Sequence, residues 1–364
     1  SILSSIGGAY NQMGFYSKAK LMFERALEIK ENSLGKQHVG VCVVLNNLAT
    51  TLVNEGRYAD AMDYYQRSLD IREKTQGIDH PHVAPTLCNI ARLYVAITEA
   101  ESDSISGAAE AERVYSNPRM GVTDGLQATA AALTFFKRAM SILEGSFGSQ
   151  YYGLLEVLDE MSKANVLAGM YTDALTDLQR MLQIYGPNDR PEVAEVLHRQ
   201  AVIYDTHIHN KTRALECLHT ECAVWDALVK KEDEAEMKEK EEAKKDSKAA
   251  KKEGKGKKAD ATETEKKNPK DPMSSCKYKF STSLLVLGTM YLDMDKPDDA
   301  LNCFHQAYTL RRRTPGLGPD HEETIECKQW MYDVAVSDPE EMAFDEFDTD
   351  ASLGQEKTAD EEEK

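Results

Sequence analysis

Histidine and cysteine side chains concentrate between residues 198 and 222, and this stretch comes nearest to a metal site by composition. The residues are His198, His207, His209, Cys217, His219 and Cys222. Imidazole nitrogens and thiolates are common zinc ligands, and a helical hairpin could bring His207, His209 and Cys217 together near its turn. Their spacing matches no zinc module. We therefore predict surface and packing roles for these residues, with no metal site and no other cofactor.

Motifs for hydrolysis, phosphate binding and nucleophilic catalysis do not occur in the sequence. It has no P-loop, no G-x-S-x-G, no H-E-x-x-H and no cysteine–histidine pair in a recognisable catalytic setting. We predict no catalytic residues and expect the protein not to be an enzyme.

The overall charge is acidic. The sequence has 62 Asp and Glu against 44 Lys and Arg, a net charge of -18. A negative surface repels nucleic-acid phosphates and anionic lipid headgroups, so we expect neither nucleic acid nor an anionic membrane as a partner. The most apolar stretch, residues 284–292, is shorter than the roughly 18 residues of a membrane helix, so we predict no membrane insertion.

The cysteines indicate a reducing compartment. There are seven, an odd number, and no two form a C-x-x-C pair, which argues against a disulfide framework. We expect a cytoplasmic protein, with a cytoskeletal or ciliary association as one possibility. The helical pattern is already under way at Ile2 and Leu3, so we also expect the chain to be part of a longer or processed polypeptide.

A repeat of 42 residues organises the sequence, and such a period is typical of helical solenoids. The aligned residues are Leu3, Leu45 and Leu87; Gly14 and Gly56; Ala19 and Ala61; Phe23 and Tyr65; Arg25 and Arg67; Gly35 and Gly77; and His38 and His80. After Tyr94 the distance becomes 71, as between Arg67 and Arg138, which is one period plus 29 residues. We predict an insertion at about 97–132, inside the third repeat.

One repeat, residues 45–81, illustrates the predicted local structure. Apolar residues recur every three or four positions in two stretches, which is typical of two amphipathic helices. Gly56 permits a tight turn between them. Gly77 is placed to end the second helix in a left-handed conformation, and Pro81 fits the first turn of the next helix.

We predict an all-α fold. It is an α-solenoid, a right-handed superhelix of about six tetratricopeptide-type helix pairs, because a single hairpin must stack on neighbours to bury both faces. The predicted segments are repeats 1–5 at 1–229, a Lys/Glu-rich helical extension and flexible linker at 230–273, repeat 6 at 274–336, and an acidic disordered tail at 337–364.

The segment from Leu45 to Pro81 resembles the repeats of the kinesin light chain family. It has the L-N-N-L-A start, the G-x-Y turn and the G-x-x-H-P loop of that family, and the repeats cover about three quarters of the chain. The resemblance implies that short peptides of partner proteins bind in a concave groove. It also implies attachment to a motor through an upstream coiled coil, but no such heptads occur in these residues.

The polar face of the first helix in each pair supplies the candidate groove residues. Asn46, Thr50 and Asn54 lie at i, i+4 and i+8, away from the leucine stripe. An asparagine amide both donates and accepts, which suits the backbone of an extended peptide. Arg92 and Lys163 occupy equivalent positions in repeats 3 and 4, and we predict that they hold an acidic side chain. A solvated polar face is the simpler alternative.

The acidic tail carries two aromatic residues, Phe344 and Phe347, within EEMAFDEFDTD. This composition resembles the aromatic-acidic peptides that kinesin light chain grooves accept. We therefore predict that the tail is a candidate autoinhibitory segment that occupies its own groove, with a simply solvated tail as the alternative.

Two functions fit this sequence. The first is a scaffold or adaptor that binds peptide segments of partner proteins. The second is a stoichiometric structural subunit of a large cytoskeletal, axonemal or organellar assembly. The partner proteins themselves are not identified by these residues, because one repeat fold serves many assemblies.

Overall fold

The computed structural model describes residues 2–103, 115, 121–186, 190–253, 273 and 275–336, and most of these residues lie in helices. Within these ranges there is no β-strand, so the predicted all-α fold is confirmed there. None of the helices in the described part of the chain has the length and apolar composition needed to span a bilayer. The acidic tail lies outside these residues.

The helices follow one another in pairs. Eight belong to a first compact unit, Ser1–Asn188 with Val202–Asn210: α1 (Ile2–Gln12), α2 (Tyr16–Leu34), α3 (Cys42–Asn54), α4 (Tyr58–Gln76), α5 (Ala84–Asp103), α6 (Gly125–Phe147), α7 (Leu154–Leu167) and α8 (Tyr171–Tyr185). The second unit, Asp189–Ala201 with Lys211–Lys364, contains most of α9 (Pro191–Val202) together with α10 (Lys211–Glu253), α11 (Cys276–Leu292), α12 (Pro297–Arg313) and α13 (Glu322–Val336).

The second pair, α3 and α4, shows why these sequences form hairpins. Leu45, Leu48 and Leu52 are buried on α3, Ala61 and Tyr65 are buried on α4, and the two helices pack against each other. This spacing of three and four residues places the leucines on one helical face. Because the aligned glycines at the turns adopt positive φ, the chain reverses between the two helices without steric cost.

The loop between successive pairs has a repeated polar cap. His80 Nδ1 accepts a hydrogen bond from the backbone N–H of His82, and Pro81 opens a short 3₁₀ turn that leads into α5. Gly77 ends α4 with φ of 101° but ψ of 156°. The predicted positive φ is confirmed, although the extended ψ places this glycine outside the left-handed helical region. Only glycine adopts that conformation readily.

In two of the helix pairs, close contact between the helices depends on a glycine that faces an aromatic ring. A Cβ atom on Gly7 would lie 2.9 Å from the Phe23 ring, and one on Gly288 would lie even closer to the Phe304 ring. Both rings are buried. The missing side chain therefore sets the distance between α1 and α2 and between α11 and α12.

The third pair spans the predicted insertion. α5 and α6 pack against each other although the residues between Asp103 and Gly125 separate them in sequence. The Thr98 hydroxyl donates to the backbone oxygen of Gly125, at 3.2 Å. Residues 104–114 and 116–120 of the insertion lie outside the described residues, but the helices on either side form a pair like their neighbours.

α10 is much longer than the other helices. It runs 43 residues, from Lys211 to Glu253, and so continues through the first half of the Lys/Glu-rich segment. An exposed pair with i, i+4 spacing, Glu236 and Lys240, lies along it. Such pairs support helices by a few tenths of a kcal/mol each, roughly.

Candidate protein-binding site

The first helices of unit 1, α1, α3, α5 and α7, are linked to one another by side-chain contacts, and we call them the first-helix row. The Asn54 amide donates to Asn11 Oδ1 on α1, at 3.3 Å. The Asn46 amide donates to Thr86 Oγ1 on α5, at 3.1 Å. These bonds cross from one repeat to the next, so residues of successive first helices form one continuous surface.

Asn46 lies at the bottom of this surface. It is only 7% exposed, and its Oδ1 atom has no hydrogen-bond partner among the described residues. The neighbouring Thr86 covers its amide nitrogen. In this structure Asn46 joins two repeats and offers little surface to a peptide.

Thr50 and Asn54 lie nearer to solvent. The Thr50 hydroxyl donates to the backbone oxygen of Asn46 at 3.0 Å and lies 2.8 Å from the Tyr65 hydroxyl. Burial raises the pKa of Tyr65 to about 12, so its hydroxyl keeps its proton. Asn54 is exposed at the end of α3. Of the three predicted α3 residues, Asn54 is the most accessible to a ligand.

Arg92 and Lys163 are already paired with carboxylates of α7. Arg92 lies 2.5 Å from Glu156 and 3.6 Å from Glu160. Lys163 lies 2.7 Å from Asp159 and 3.3 Å from Glu160. Two cations and three carboxylates therefore share the surface between α5 and α7, which we call the charged patch.

The pKa values of both cations respond to these neighbours. Burial lowers the pKa of Lys163, but hydrogen bonds and charge from Asp159 and Glu160 outweigh burial and raise it overall. The same balance raises the pKa of Arg92 next to Glu156 and Glu160. Both side chains are cationic at neutral pH, so the patch is a set of ion pairs with a single excess negative charge.

The carboxylates of the charged patch were not among the predicted site residues. Asp159 and Glu160 precede Lys163 by four and three residues, so helical spacing alone could have indicated their ion pairs. Glu156 pairs with Arg92 across 64 residues. That pairing depends on the stacking of α7 on α5, which the alignment of equivalent positions does not reveal.

The second helices of unit 1, α2, α4, α6 and α8, are joined by a repeating ion pair that we call the arginine ladder. Arg67 lies 2.6 Å from Glu31, and Arg138 lies 2.6 Å from Glu73. Arg180 pairs with Glu144 in the same way. Each arginine follows its partner by 36 residues, except across the insertion, where the distance is 65, or 36 plus 29. The repeat register is thus preserved across the insertion.

The histidines and cysteines between residues 198 and 222 are dispersed. His207 stacks on Tyr171, with ring centroids 4.2 Å apart, and His219 Nε2 lies 2.7 Å from the Tyr291 hydroxyl. Burial raises the pKa of Cys222 to about 12. Within the described ranges no three His, Cys, Asp or Glu residues are placed to hold a metal ion together.

One residue in this region, His198, belongs to a buried polar cluster of unit 2. Its Nδ1 atom lies 3.1 Å from Glu221, which is only 3% exposed. Glu221 also accepts hydrogen bonds from Trp225 Nε1 and from the Ser283 hydroxyl. The carboxylate has three partners, and we call these four residues the Glu221 cluster. Ser283 was not predicted to interact here, because it lies 62 residues away along the chain.

Phe344 and Phe347, the predicted autoinhibitory residues, lie outside the described part of the chain.

Comparison with known protein families identifies repeats at both ends of the described chain. Models of the tetratricopeptide repeat match residues 1–74 and 40–102, and another tetratricopeptide-repeat model matches residues 281–323. The repeats predicted from the 42-residue spacing are therefore confirmed as tetratricopeptide repeats over these segments. No curated protein matches the chain.

Solved structures that match the chain include the following three. One contains the nearly identical TPR-like repeats of a Podospora anserina protein described as a kinesin light chain, with 18% identity, a TM-score of 0.48, and coverage of 61% of this chain and 92% of that one. BtubC (BKLC) from P. vanneervenii has 13% identity, a TM-score of 0.48, and coverage of 85% and 93%. The TPR2AB-domain:pHSP90-complex of yeast Sti1 has 12% identity, a TM-score of 0.29, and coverage of 92% and 97%.

Proposed function

We propose that this chain, a tetratricopeptide-repeat protein, is a non-enzymatic scaffold that binds peptide segments of partner proteins along the first-helix row of unit 1. The difference between the two rows of helices carries the proposal. The second helices repeat the same arginine–glutamate pair from repeat to repeat. The first helices instead present different polar side chains at equivalent positions, which suits recognition of a specific sequence.

Exposed amides at one end of the row suit a peptide backbone. The Asn54 and Asn11 amides bond to each other at 3.3 Å, near the upper limit for a hydrogen bond. A peptide that lies across α1 and α3 can replace this long bond with shorter bonds to its own N–H and C=O groups.

Within the charged patch, the two cations Arg92 and Lys163 are the groups that would recognise acidic side chains of a peptide. Glu156 is 74% exposed on its side chain, so its pair with Arg92 is a surface ion pair. Such pairs contribute about 1 kcal/mol or less. A peptide carboxylate can therefore take the place of Glu156 on Arg92, and another can approach the exposed ammonium group of Lys163.

A binding measurement with defined charge reversals tests this proposal. The probe is a fluorescent peptide with the sequence EEMAFDEFDTD, which is the aromatic-acidic segment of this chain, residues 340–350. Arg92→Glu and Lys163→Glu should each weaken its binding, by roughly tenfold for a lost charge pair of about 1.4 kcal/mol. The matched control is Lys74→Glu, an exposed charge on α4. Equal effects of all three substitutions would show that only net charge matters and would overturn the proposal.

We also propose that the tail competes for this site through Phe344 and Phe347. A segment joined to the same chain acts at a high effective concentration, so it weakens binding of a free peptide even when its own affinity is low. Removing residues 337–364 should raise the affinity for the probe peptide. An unchanged affinity would eliminate this role for the tail.

The alternative is a fixed structural subunit of a cytoskeletal, axonemal or organellar assembly. Seven free cysteines suit a reducing compartment such as the cytoplasm in either case. An adaptor should release its partners in salt washes, since the proposed contacts are exposed charges, whereas an assembly subunit should copurify at constant stoichiometry.

A further inference from the structure

The end of α6 and the loop that follows it contain a group of exposed aromatic side chains, which we call the aromatic patch. Phe147 stacks on Tyr151, with ring centroids 4.5 Å apart, and Tyr152 meets Tyr185 edge to face, with centroids 5.8 Å apart. Phe147 is 53% exposed, Tyr152 51% and Tyr151 38%. Among the described residues six aromatic side chains are exposed, and three of them lie between positions 147 and 152.

The equivalent loops of the earlier repeats have a histidine cap where this loop has a tyrosine. His38 and His80 each accept a hydrogen bond at Nδ1 from the backbone N–H two residues later. Tyr151 is their equivalent, and the backbone turn is kept, since the N–H of Leu154 donates to the Tyr151 oxygen at 3.0 Å. The tyrosine ring lies against Gly153, where a Cβ atom would overlap it. This loop therefore presents rings to solvent in place of a capping side chain.

The aromatic patch is uncharged. Residues 145–155 include no Asp, Glu, Lys, Arg or His, although 29% of the chain is charged. The Tyr151 hydroxyl makes no hydrogen bond to any residue that the structure describes, so it is available as a donor. A ligand that suits this surface has apolar groups that pack on ring faces and an oxygen atom that accepts from a hydroxyl.

The area of the patch suits a short segment better than a folded partner. An aromatic side chain buries about 150–250 Å², so the exposed fractions of Phe147, Tyr151 and Tyr152 correspond to roughly 300 Å² together. A stable dimer needs about 800 Å² from each copy. The patch therefore supplies less than half of the surface that a second copy of this chain would need.

We propose that the aromatic patch binds a proline-rich segment of a partner protein in the polyproline II conformation. Proline rings are apolar and uncharged, and aromatic-lined grooves accept them. A polyproline II helix has no internal hydrogen bonds, so its carbonyl oxygens can accept from the Tyr151 hydroxyl. Proline also fixes φ before binding, which lowers the entropic cost of ordering the segment on a small surface.

The P-x-x-P segment of this chain is a poorer match than a proline-rich partner. Its prolines, Pro269 and Pro272, lie outside the described residues, and charged side chains, Lys270 and Asp271, stand between them. The uncharged patch offers neither of these charges a partner. The inference does not depend on peptide binding by the first-helix row, because the cations of that site do not belong to the aromatic patch.

Fluorescence anisotropy with the full chain tests the inference, and the probe is a labelled peptide of ten L-prolines. The control peptide has ten D-prolines, which have the same composition but form the mirror-image helix. Because the rings and the hydroxyl of the patch fit one hand of the helix, the L-peptide should bind more tightly by roughly tenfold. Absence of binding, or equal binding of the two peptides, would overturn the proposal.

Ring deletions locate the binding site. Phe147→Ala and Tyr152→Ala should each weaken binding of the L-peptide by roughly threefold to tenfold, because each removes one ring contact. Phe15→Ala is the matched control, since Phe15 is 51% exposed and also contacts a neighbouring ring, that of Tyr10. This control should bind as the wild type does, and equal weakening by Phe15→Ala and Phe147→Ala would contradict the assignment.

A milder variant keeps the test independent of folding. Tyr151→Phe removes the hydroxyl and leaves the ring, so it should weaken binding of the L-peptide less than Tyr152→Ala does. Matching thermal unfolding curves would show that all these variants fold. The acidic probe peptide should bind Phe147→Ala as it binds the wild type, and Arg92→Glu should bind the L-peptide normally, so the two proposals can fail separately.

Two other occupants of the patch are also tested. A concentration-dependent dimer of the chain alone that Phe147→Ala dissociates would assign the patch to a second copy. Tighter binding of the L-peptide after Pro269→Ala and Pro272→Ala together would assign it to the P-x-x-P segment of this chain. Either result would overturn the proposal of a partner protein.

Discussion

The two units use polar contacts between helices in different ways. In unit 1 the arginine ladder joins second helices through partly exposed ion pairs such as Arg138 with Glu73. In unit 2 the contact is buried, since Glu221 accepts hydrogen bonds inside the helix packing. An exposed pair can be replaced by water at little cost, whereas a buried carboxylate must keep its donors. The arginine ladder should therefore tolerate charge changes that the Glu221 cluster does not.

The largest expected effect comes from removing the buried carboxylate. Glu221→Ala leaves Trp225 and Ser283 without an acceptor, and we expect a loss of about 3 kcal/mol in the unfolding free energy of unit 2. Glu73→Ala in the ladder should cost unit 1 about 1 kcal/mol or less. Both tryptophans, Trp225 and Trp330, lie in unit 2, so tryptophan fluorescence during urea unfolding reports on that unit.

Equal losses of unfolding free energy in Glu221→Ala and Glu73→Ala would contradict this difference between the buried and the exposed contact. Unfolding of unit 1 can be followed separately by hydrogen exchange of α4 and α6, detected by mass spectrometry.

A second expected effect concerns a feature that the units share. Gly288→Ala in unit 2 and Gly7→Ala in unit 1 both place a methyl group against a phenylalanine ring, and each should cost about 1 to 3 kcal/mol. Gly8→Ala is the control, because a Cβ at Gly8 meets no atom within 4 Å. That change should stabilise α1 by up to about 1 kcal/mol through helix propensity. Thermal unfolding measures all three, and destabilisation by Gly8→Ala would contradict this account of close packing.

Unit 1 also contains a buried carboxylate, Asp177, and replacing it should change the unfolding free energy by about as much as the glycine substitutions do. Burial raises the pKa of Asp177 to about 6, although a hydrogen bond from Asn165 opposes the shift. Its ionisation therefore costs stability at neutral pH. That cost begins to decrease as the pH falls below about 6, and it is gone below the pKa of an unfolded aspartate, about 3.9. Asp177→Asn should stabilise unit 1 by about 2 kcal/mol at pH 8. It should also remove the rise in stability below pH 6, as measured by hydrogen exchange of α7 and α8.

The smallest expected effect is the pH dependence of the Glu221 cluster. The hydrogen bond with Glu221 raises the pKa of His198, although burial opposes the shift. The stabilisation is complete below the unfolded pKa of about 6.5 and is lost as the pH rises through the higher folded pKa. Unit 2 should thus be more stable at pH 6 than at pH 8, and His198→Gln should reduce this difference. If His198→Gln left the pH dependence of unfolding unchanged, as followed by tryptophan fluorescence, the pair of His198 and Glu221 would contribute nothing to the stability of unit 2.

The sequence predicted the helix pairs because their packing depends on local periodicity. The apolar spacing of Leu45, Leu48 and Leu52 and the turn at Gly56 lie within one repeat, and the structure has α3 and α4 there. The 29-residue shift in register also predicted that Arg138 is equivalent to Arg67, and both occupy the same place in the ladder.

Contacts between repeats were harder to predict. Asn46 has a polar side chain on the polar face of α3, yet Thr86 of the next repeat buries it. Glu156 and Arg92 meet only because α7 stacks on α5. Such pairings depend on the angle between neighbouring hairpins, and a residue period contains no information about that angle. The placement of Asn54 and Lys163 on an exposed surface followed more directly from helical geometry.

The central claim is that partner peptides bind the first-helix row, and lysine labelling tests it most directly. The exposed lysines Lys163 on α7 and Lys74 on α4 report on the two rows, and the probe peptide contains no lysine. Acylation rates measured by mass spectrometry, with and without saturating peptide, should show slower modification of Lys163 and an unchanged rate at Lys74. Protection of Lys74 with no change at Lys163 would contradict the proposed function.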